Sequence, residues 1–92
     1  MMAAAVFEAE LSEEQATDLA RLMDEGRLSR PAGVVTALLL YDGSIGRLVA
    51  VWESREVLKA YLAETAVPRG LELMRKVGAE PSLTIVDVLE HG

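Results

Sequence analysis

The chain has no cysteine. Disulfides, thiolate nucleophiles and thiolate metal sites are therefore excluded, and a reducing cytoplasm suits it. Histidine is nearly absent as well, with His91 alone; without a second histidine, a zinc site would have to rest on scattered carboxylates, which zinc rarely accepts by themselves. Positive charge is in the minority. Nine Lys and Arg stand against fifteen acids, a formal charge of −6, and the bases are spread from Arg21 to Lys76. Nucleic acid needs a concentrated positive face, so this balance argues against it. Long apolar runs are missing too: MMAAAVFEAEL reaches Glu8 and Glu10 too soon for a signal peptide, lacks a basic start, and is too short to span a bilayer. Aromatic residues make up only 4%, which makes Trp52, Tyr41, Tyr61 and Phe7 conspicuous.

What is present is aliphatic. Hydrophobic residues make up 51% of 92 positions, and the mean hydropathy is +0.23. A chain of this length buries only about 60–65% of its unfolded surface. More apolar surface exists than a small monomer hides, and part of it is expected to meet a partner.

Residues 3–11 alternate, with Ala3, Ala5, Phe7, Ala9 and Leu11 on one side and Glu8 and Glu10 on the other; period two predicts a strand. Ser12, followed three residues later by Gln15, predicts a capping box with Glu13 and Glu14 at the positive end of the dipole. Ala16, Leu19, Ala20 and Met23 then share one helical stripe, and Gly26 stands where a left-handed stop is expected. The segment Arg27 to Gly33 reads as a loop. VVTALLLY, residues 34–41, reads as a strand buried on both faces, with Val35, Ala37, Leu39 and Tyr41 on one side and Val34, Leu38 and Leu40 on the other. Asp42-Gly43 predicts a tight turn and residues 45–53 the returning strand. Ser54 caps a second helix with Leu58, Tyr61, Leu62 and Thr65 on one face. Pro68 interrupts it, Leu71, Met74 and Val77 continue the stripe, and residues 83–89 form a last strand.

The order strand, helix, strand, strand, helix, strand predicts one ferredoxin-like α+β domain over residues 1–92, a four-stranded antiparallel sheet with two helices on one face. Two helices cover only one face of the sheet, and the central hairpin is apolar on both. The uncovered face is expected to lie against a second copy, sheet to sheet, in a homodimer.

The order of elements, the hairpin ending in VAVWES, the aromatic at Tyr61, the break at Pro68 and the short final strand resemble the dimeric α+β barrel superfamily. More narrowly, they are similar to small antibiotic biosynthesis monooxygenase-like proteins of actinobacteria. The resemblance implies a cofactor-independent monooxygenase acting on a small apolar aromatic or polyketide-like molecule between sheet and helices, with the electron-rich substrate itself activating oxygen. The superfamily's haem-degrading branch is a poor match: counting from Trp52-Glu53-Ser54, its helix-borne Trp falls on Tyr61 and its ligating His near Leu71. No cofactor is therefore implied.

The candidate site residues are few. His91 and Tyr61 are the candidates for catalysis, His91 because its side chain titrates near neutrality. Tyr41, Trp52 and Arg55 are the candidates for holding a substrate. Each has a plainer role. Trp52 at a strand end commonly anchors packing and gives its N–H to a nearby carbonyl, Tyr61 shares a stripe with Leu58 and Leu62, Arg55 sits at a helix start, and His91 is next to last, where chains fray. A non-catalytic dimeric module that binds a small hydrophobic ligand, or serves as an interaction scaffold, is the alternative from a different class.

Overall fold

A computed structural model describes residues 1–91. Its elements are β1 (Ala3–Glu10), α1 (Glu13–Glu25), a 3-10 turn (Arg27–Ser29), β2 (Val34–Tyr41), β3 (Ile45–Trp52), α2 (Arg55–Glu64), α3 (Arg69–Lys76) and β4 (Ser82–Asp87). The helix starts follow the local chemistry. The Ser12 hydroxyl accepts from the Gln15 amide while the Gln15 side chain accepts from the Ser12 amide, and the Ser54 hydroxyl accepts from the Val57 amide. At the third start Pro68 is itself the cap, extended at φ −56° and ψ 145° and with no side-chain hydrogen bond. The Arg69 amide behind it donates to the hydroxyl of Tyr61 at 2.8 Å, so a side chain of α2 satisfies the first turn of α3.

The four strands form one antiparallel sheet in the order β2-β3-β1-β4, the ferredoxin-like arrangement. Phe7, Leu48 and Trp52 project from its central strands toward Leu19 of α1, Leu58 of α2 and Met74 of α3, the three most completely buried large side chains. In α3 burial falls on Gly70, Leu73 and Met74, with Leu71 half-buried beside them.

Two local expectations change. Gly26 does not adopt a left-handed conformation; its φ is −89°. The chain runs on into the 3-10 turn without reversing, and the glycine serves another purpose, since a Cβ there would collide with the Arg69 guanidinium. In β2 a bulge at Val35 separates Val34, paired with Trp52, from Thr36, paired with Val51. The extra residue turns Val34 inward with Ala37, Leu39 and Tyr41 and puts Val35 outward with Leu38 and Leu40, the reverse of strict alternation for the first pair.

Nor is β2 buried on both faces in the single chain. Val35, Leu38, Leu40 and Val86 are exposed by 52%, 43%, 48% and 41%, on the face that also carries Val6, Val49 and Val51. The helices lie on the other face, and among the described residues no element covers these side chains.

Candidate functional site

The sheet floor under the helices contains a row of small side chains. Register places Ala37 of β2, Ala50 of β3 and Ala5 of β1 side by side. The adjacent rows are large, with Leu48 and Phe7 on one side and Trp52 on the other. A row of methyl groups between rows of large side chains leaves space that neither the sheet nor the helices fill. Above it α2 contributes Leu58, Tyr61 and Leu62, and α3 contributes Gly70 and Leu73. Gly70 is required there because a Cβ would collide with the Phe7 ring. The result is a mainly apolar cavity of about 60 Å³. A shallower groove of about 270 Å³ runs alongside, between α1 and β2, and shares Met23, Arg30 and Ala37 with the cavity.

Trp52 forms one wall. It is 3% exposed, and its ring lies 4.8 Å from that of Tyr61 at a tilt of 38°. Gly33 packs against its six-membered ring. The expectation that Trp52 gives its N–H to a neighbouring carbonyl is not met: Nε1 is buried with no hydrogen-bond partner among the described residues. The Gly33 carbonyl, on the segment that touches the indole, accepts instead from the Glu53 amide at 2.9 Å. An orphaned buried donor costs about 1–3 kcal/mol, and in a native protein such a group calls for an explanation. Beside it, the Tyr61 oxygen accepts from the Arg69 amide, which leaves the hydroxyl proton free to be donated.

Of the residues singled out from the sequence, Trp52 and Tyr61 meet in this cavity. The other three lie elsewhere. Tyr41, toward the opposite end of the sheet, donates to the Leu11 carbonyl at 2.8 Å. Arg55 is engaged by Asp87, with both Nε and Nη2 donating to Oδ1. His91 is exposed beyond the end of β4. Glu8 of β1 takes an ion pair with Arg47 at 2.7 Å.

The cavity's charged residues were not singled out from the sequence. Among the described residues, Arg21, Arg27, Arg47, Arg55 and Arg75 all pair with carboxylates. The two remaining arginines, Arg30 and Arg69, have no such partner, and both line the cavity. The displaced carboxyl acidities lie away from the cavity. Amides of Ile45 and Ser44 hold the Asp42 carboxyl below its usual range, and a hydrogen bond from Arg75 does the same for Glu80. Among the described residues, no group of three His, Asp or Glu could hold a metal ion, and no helix is long and apolar enough to cross a membrane.

No family model matches the sequence, and no curated protein matches it. Solved structures do. A Chloroflexus aurantiacus protein assigned to the antibiotic biosynthesis monooxygenases superposes with a TM-score of 0.62 at 24% identity, covering 100% of this chain and 98% of that one. The monooxygenase from the gene ActVA-Orf6 of Streptomyces coelicolor, in complex with nanaomycin D, gives 0.68 at 19% identity, covering 98% and 88%. SnoaB, a cofactor-independent oxygenase of Streptomyces nogalater, gives 0.57 at 12% identity, covering 98% and 93%. The chain thus has the ferredoxin-like α+β fold of the antibiotic biosynthesis monooxygenase-like proteins.

Proposed function

We propose that this protein is a cofactor-independent monooxygenase that holds a small aromatic or polyketide-like molecule between sheet and helices. The observation that carries the reading is the unpartnered Trp52 N–H, on a ring that lies against Tyr61, whose hydroxyl has a proton to give, in a cavity lined otherwise by apolar side chains and by Arg30 and Arg69. Two such donors fit the oxygen of a phenolate or enolate, where charge gathers as the substrate is deprotonated and meets oxygen. In the simplest case an activated ring methylene becomes a carbonyl. One oxygen atom enters the product and the other leaves as water with the two methylene hydrogens, so the substrate supplies all four electrons and no external reductant is needed. The named activities of the Streptomyces neighbours support the reading.

The working unit in this reading is a homodimer, one domain from each chain. Exposed Val35, Leu38, Leu40 and Val86 belong with Val6, Val49 and Val51 to an apolar patch bounded by the Arg47–Glu8 pair, and a second copy of the same face is a self-complementary cover. Leu40→Lys is expected to shift sedimentation from about 20 kDa to about 10 kDa, since each buried charge at the interface would lack a partner. A wild-type monomer would remove the dimer from the proposal.

The oxygen electrode provides the main test. Hydroquinones and anthrones are to be offered to the protein, with oxygen uptake above the uncatalysed rate as the expected result, one O2 per carbonyl formed for the anthrones, and slower uptake in Trp52→Phe and Tyr61→Phe. A second reading has its own support, the small cavity of about 60 Å³, which favours a module that binds without reacting. No uptake across the panel, together with retained binding of an environment-sensitive dye, would establish the module in place of the enzyme.

A further inference from the structure

We infer that the ligand of this cavity is an anion, an aromatic molecule bearing a carboxylate that Arg30 and Arg69 hold at the cavity rim. The inference rests on the binding part of the reading above and adds the chemical class of the ligand.

In a chain of formal charge −6, a carboxylate partner is the ordinary fate of an arginine, and five of the seven have one. The two acids at the end of α1 are taken: Glu25 pairs with Arg21 at 3.2 Å and Asp24 with Arg27 at 2.7 Å. Among the described residues Arg30 and Arg69 are left as the arginines without a carboxylate, and they come from different elements. Arg30 follows the 3-10 turn and Arg69 opens α3, yet both reach the one apolar cavity. The tip of Arg69 lies over Gly26, close enough that a Cβ there would push the guanidinium aside.

The shape agrees with the charge. Arg30, Met23 and Ala37 line both the cavity and the 270 Å³ groove, so the two spaces adjoin. Arg30 and Met23 are long and unbranched, and a change of rotamer in them would join the spaces into one that admits a ring. The ring then lies on the alanine floor against Trp52, and a carboxylate on its outer end meets Arg30 and Arg69. A planar guanidinium suits this task because its paired N–H groups match the two oxygens of a carboxylate.

Calorimetric titration with 2-naphthoate and with its methyl ester isolates the charge, because the two share a ring system. Wild type is expected to bind the acid anion about tenfold tighter than the ester, as charge-assisted hydrogen bonds at a partly solvated rim would give. In Arg30→Gln/Arg69→Gln the acid should fall to the affinity of the ester while the ester is unchanged. The Arg69 amide that braces Tyr61 is main chain and survives the substitution; circular dichroism checks that the fold is kept. Arg69→Lys should retain part of the preference. Equal binding of acid and ester by wild type overturns the inference and leaves the cavity reading standing, as does an acid preference that persists in the folded double variant. Failure of both ligands to bind overturns the inference and the cavity reading together, whatever the oxygen electrode reports.

Discussion

Trp52→Phe separates stability from function at the one residue where the structure sets them against each other. The indole is 3% exposed, so the change removes ring atoms from a packed core. Losing roughly 40 Å³ of volume at ~24 cal/mol per Å³ costs about 1 kcal/mol for the space left behind. The lost burial of two or three ring atoms adds about 1–2 kcal/mol. Against this, phenyl has no N–H, and removing the unpartnered Nε1 donor returns about 1–3 kcal/mol. The two sides nearly cancel, and the expected net loss is about 0–1 kcal/mol. Trp52→Ala, which removes the whole side chain, should instead cost about 3–5 kcal/mol. The assay is urea unfolding followed by circular dichroism, because the fluorescent reporter disappears with the substitution, at one fixed protein concentration so that self-association does not enter the difference. Ligand binding by the same variant should weaken about threefold to tenfold if the N–H is a donor to ligand. A loss of stability above about 2 kcal/mol would refute the reasoning, since it would mean that the N–H is satisfied in the free protein, for instance by water in the cavity.

Three further outcomes follow from local geometry. Gly33 and Gly43 have nearly the same positive φ, 96° and 97°, but a Cβ at Gly33 would meet Val57 and Trp52 while Gly43 faces open space. Gly43→Ala should cost about 1 kcal/mol for backbone strain alone, and Gly33→Ala about 2–4 kcal/mol with overpacking added; equal losses in denaturant unfolding would discount the contact. Ser12→Ala removes the hydroxyl that accepts from the Gln15 amide and keeps the backbone half of the capping box; it should cost about 1 kcal/mol, read from the urea midpoint at unchanged slope. Asp42 and Glu80 have carboxyls held below their ordinary values of 3.8 and 4.5, so the folded chain binds fewer protons than the unfolded one near those values. Their contribution is complete above about pH 5 and is lost as pH falls through the ordinary values toward the lowered ones. Glu80→Gln should flatten the upper part of this acid limb in unfolding measurements from pH 6 to pH 3, and an unchanged limb would show that the pair with Arg75 has no effect on folding.

The fold was legible where local chemistry and periodicity agree. Strand β1 announces itself because Ala3, Ala5 and Phe7 must face the helices while Glu8 and Glu10 remain in water, and the Ser12 box and the Asp42-Gly43 turn are each satisfied within a few residues. The two failures have physical reasons. Strict alternation misassigns Val34 and Val35 because a bulge inserts one unpaired residue, and nothing in VVT marks where the extra residue falls. Gly26 reads as a left-handed stop because glycine usually fills that role, but here its value is the missing Cβ beneath a guanidinium that arrives from residue 69. The first error comes from pairing and the second from contact across the fold, which periodicity does not encode.

The site was legible only in its aromatic half. Trp52 and Tyr61 stand out because such residues are scarce, but the cavity itself exists because of side chains that are small. Ala5, Ala37 and Ala50 look like ordinary strand alanines until register places them in one row, and Gly70 looks like a weak helix residue until Phe7 lies under it. The arginines are harder still, because what distinguishes Arg30 and Arg69 is a partner they lack. Arg47 finds Glu8 from 39 residues away and Arg55 finds Asp87 from 32, so pairing is settled by strand and helix placement. Only after those pairs are formed does subtraction leave two cations at the rim of an apolar cavity. An anionic ligand is the class that supplies what both the rim and the orphaned indole lack, since a single molecule with a carboxylate at one end and a ring oxygen at the other offers acceptors to each.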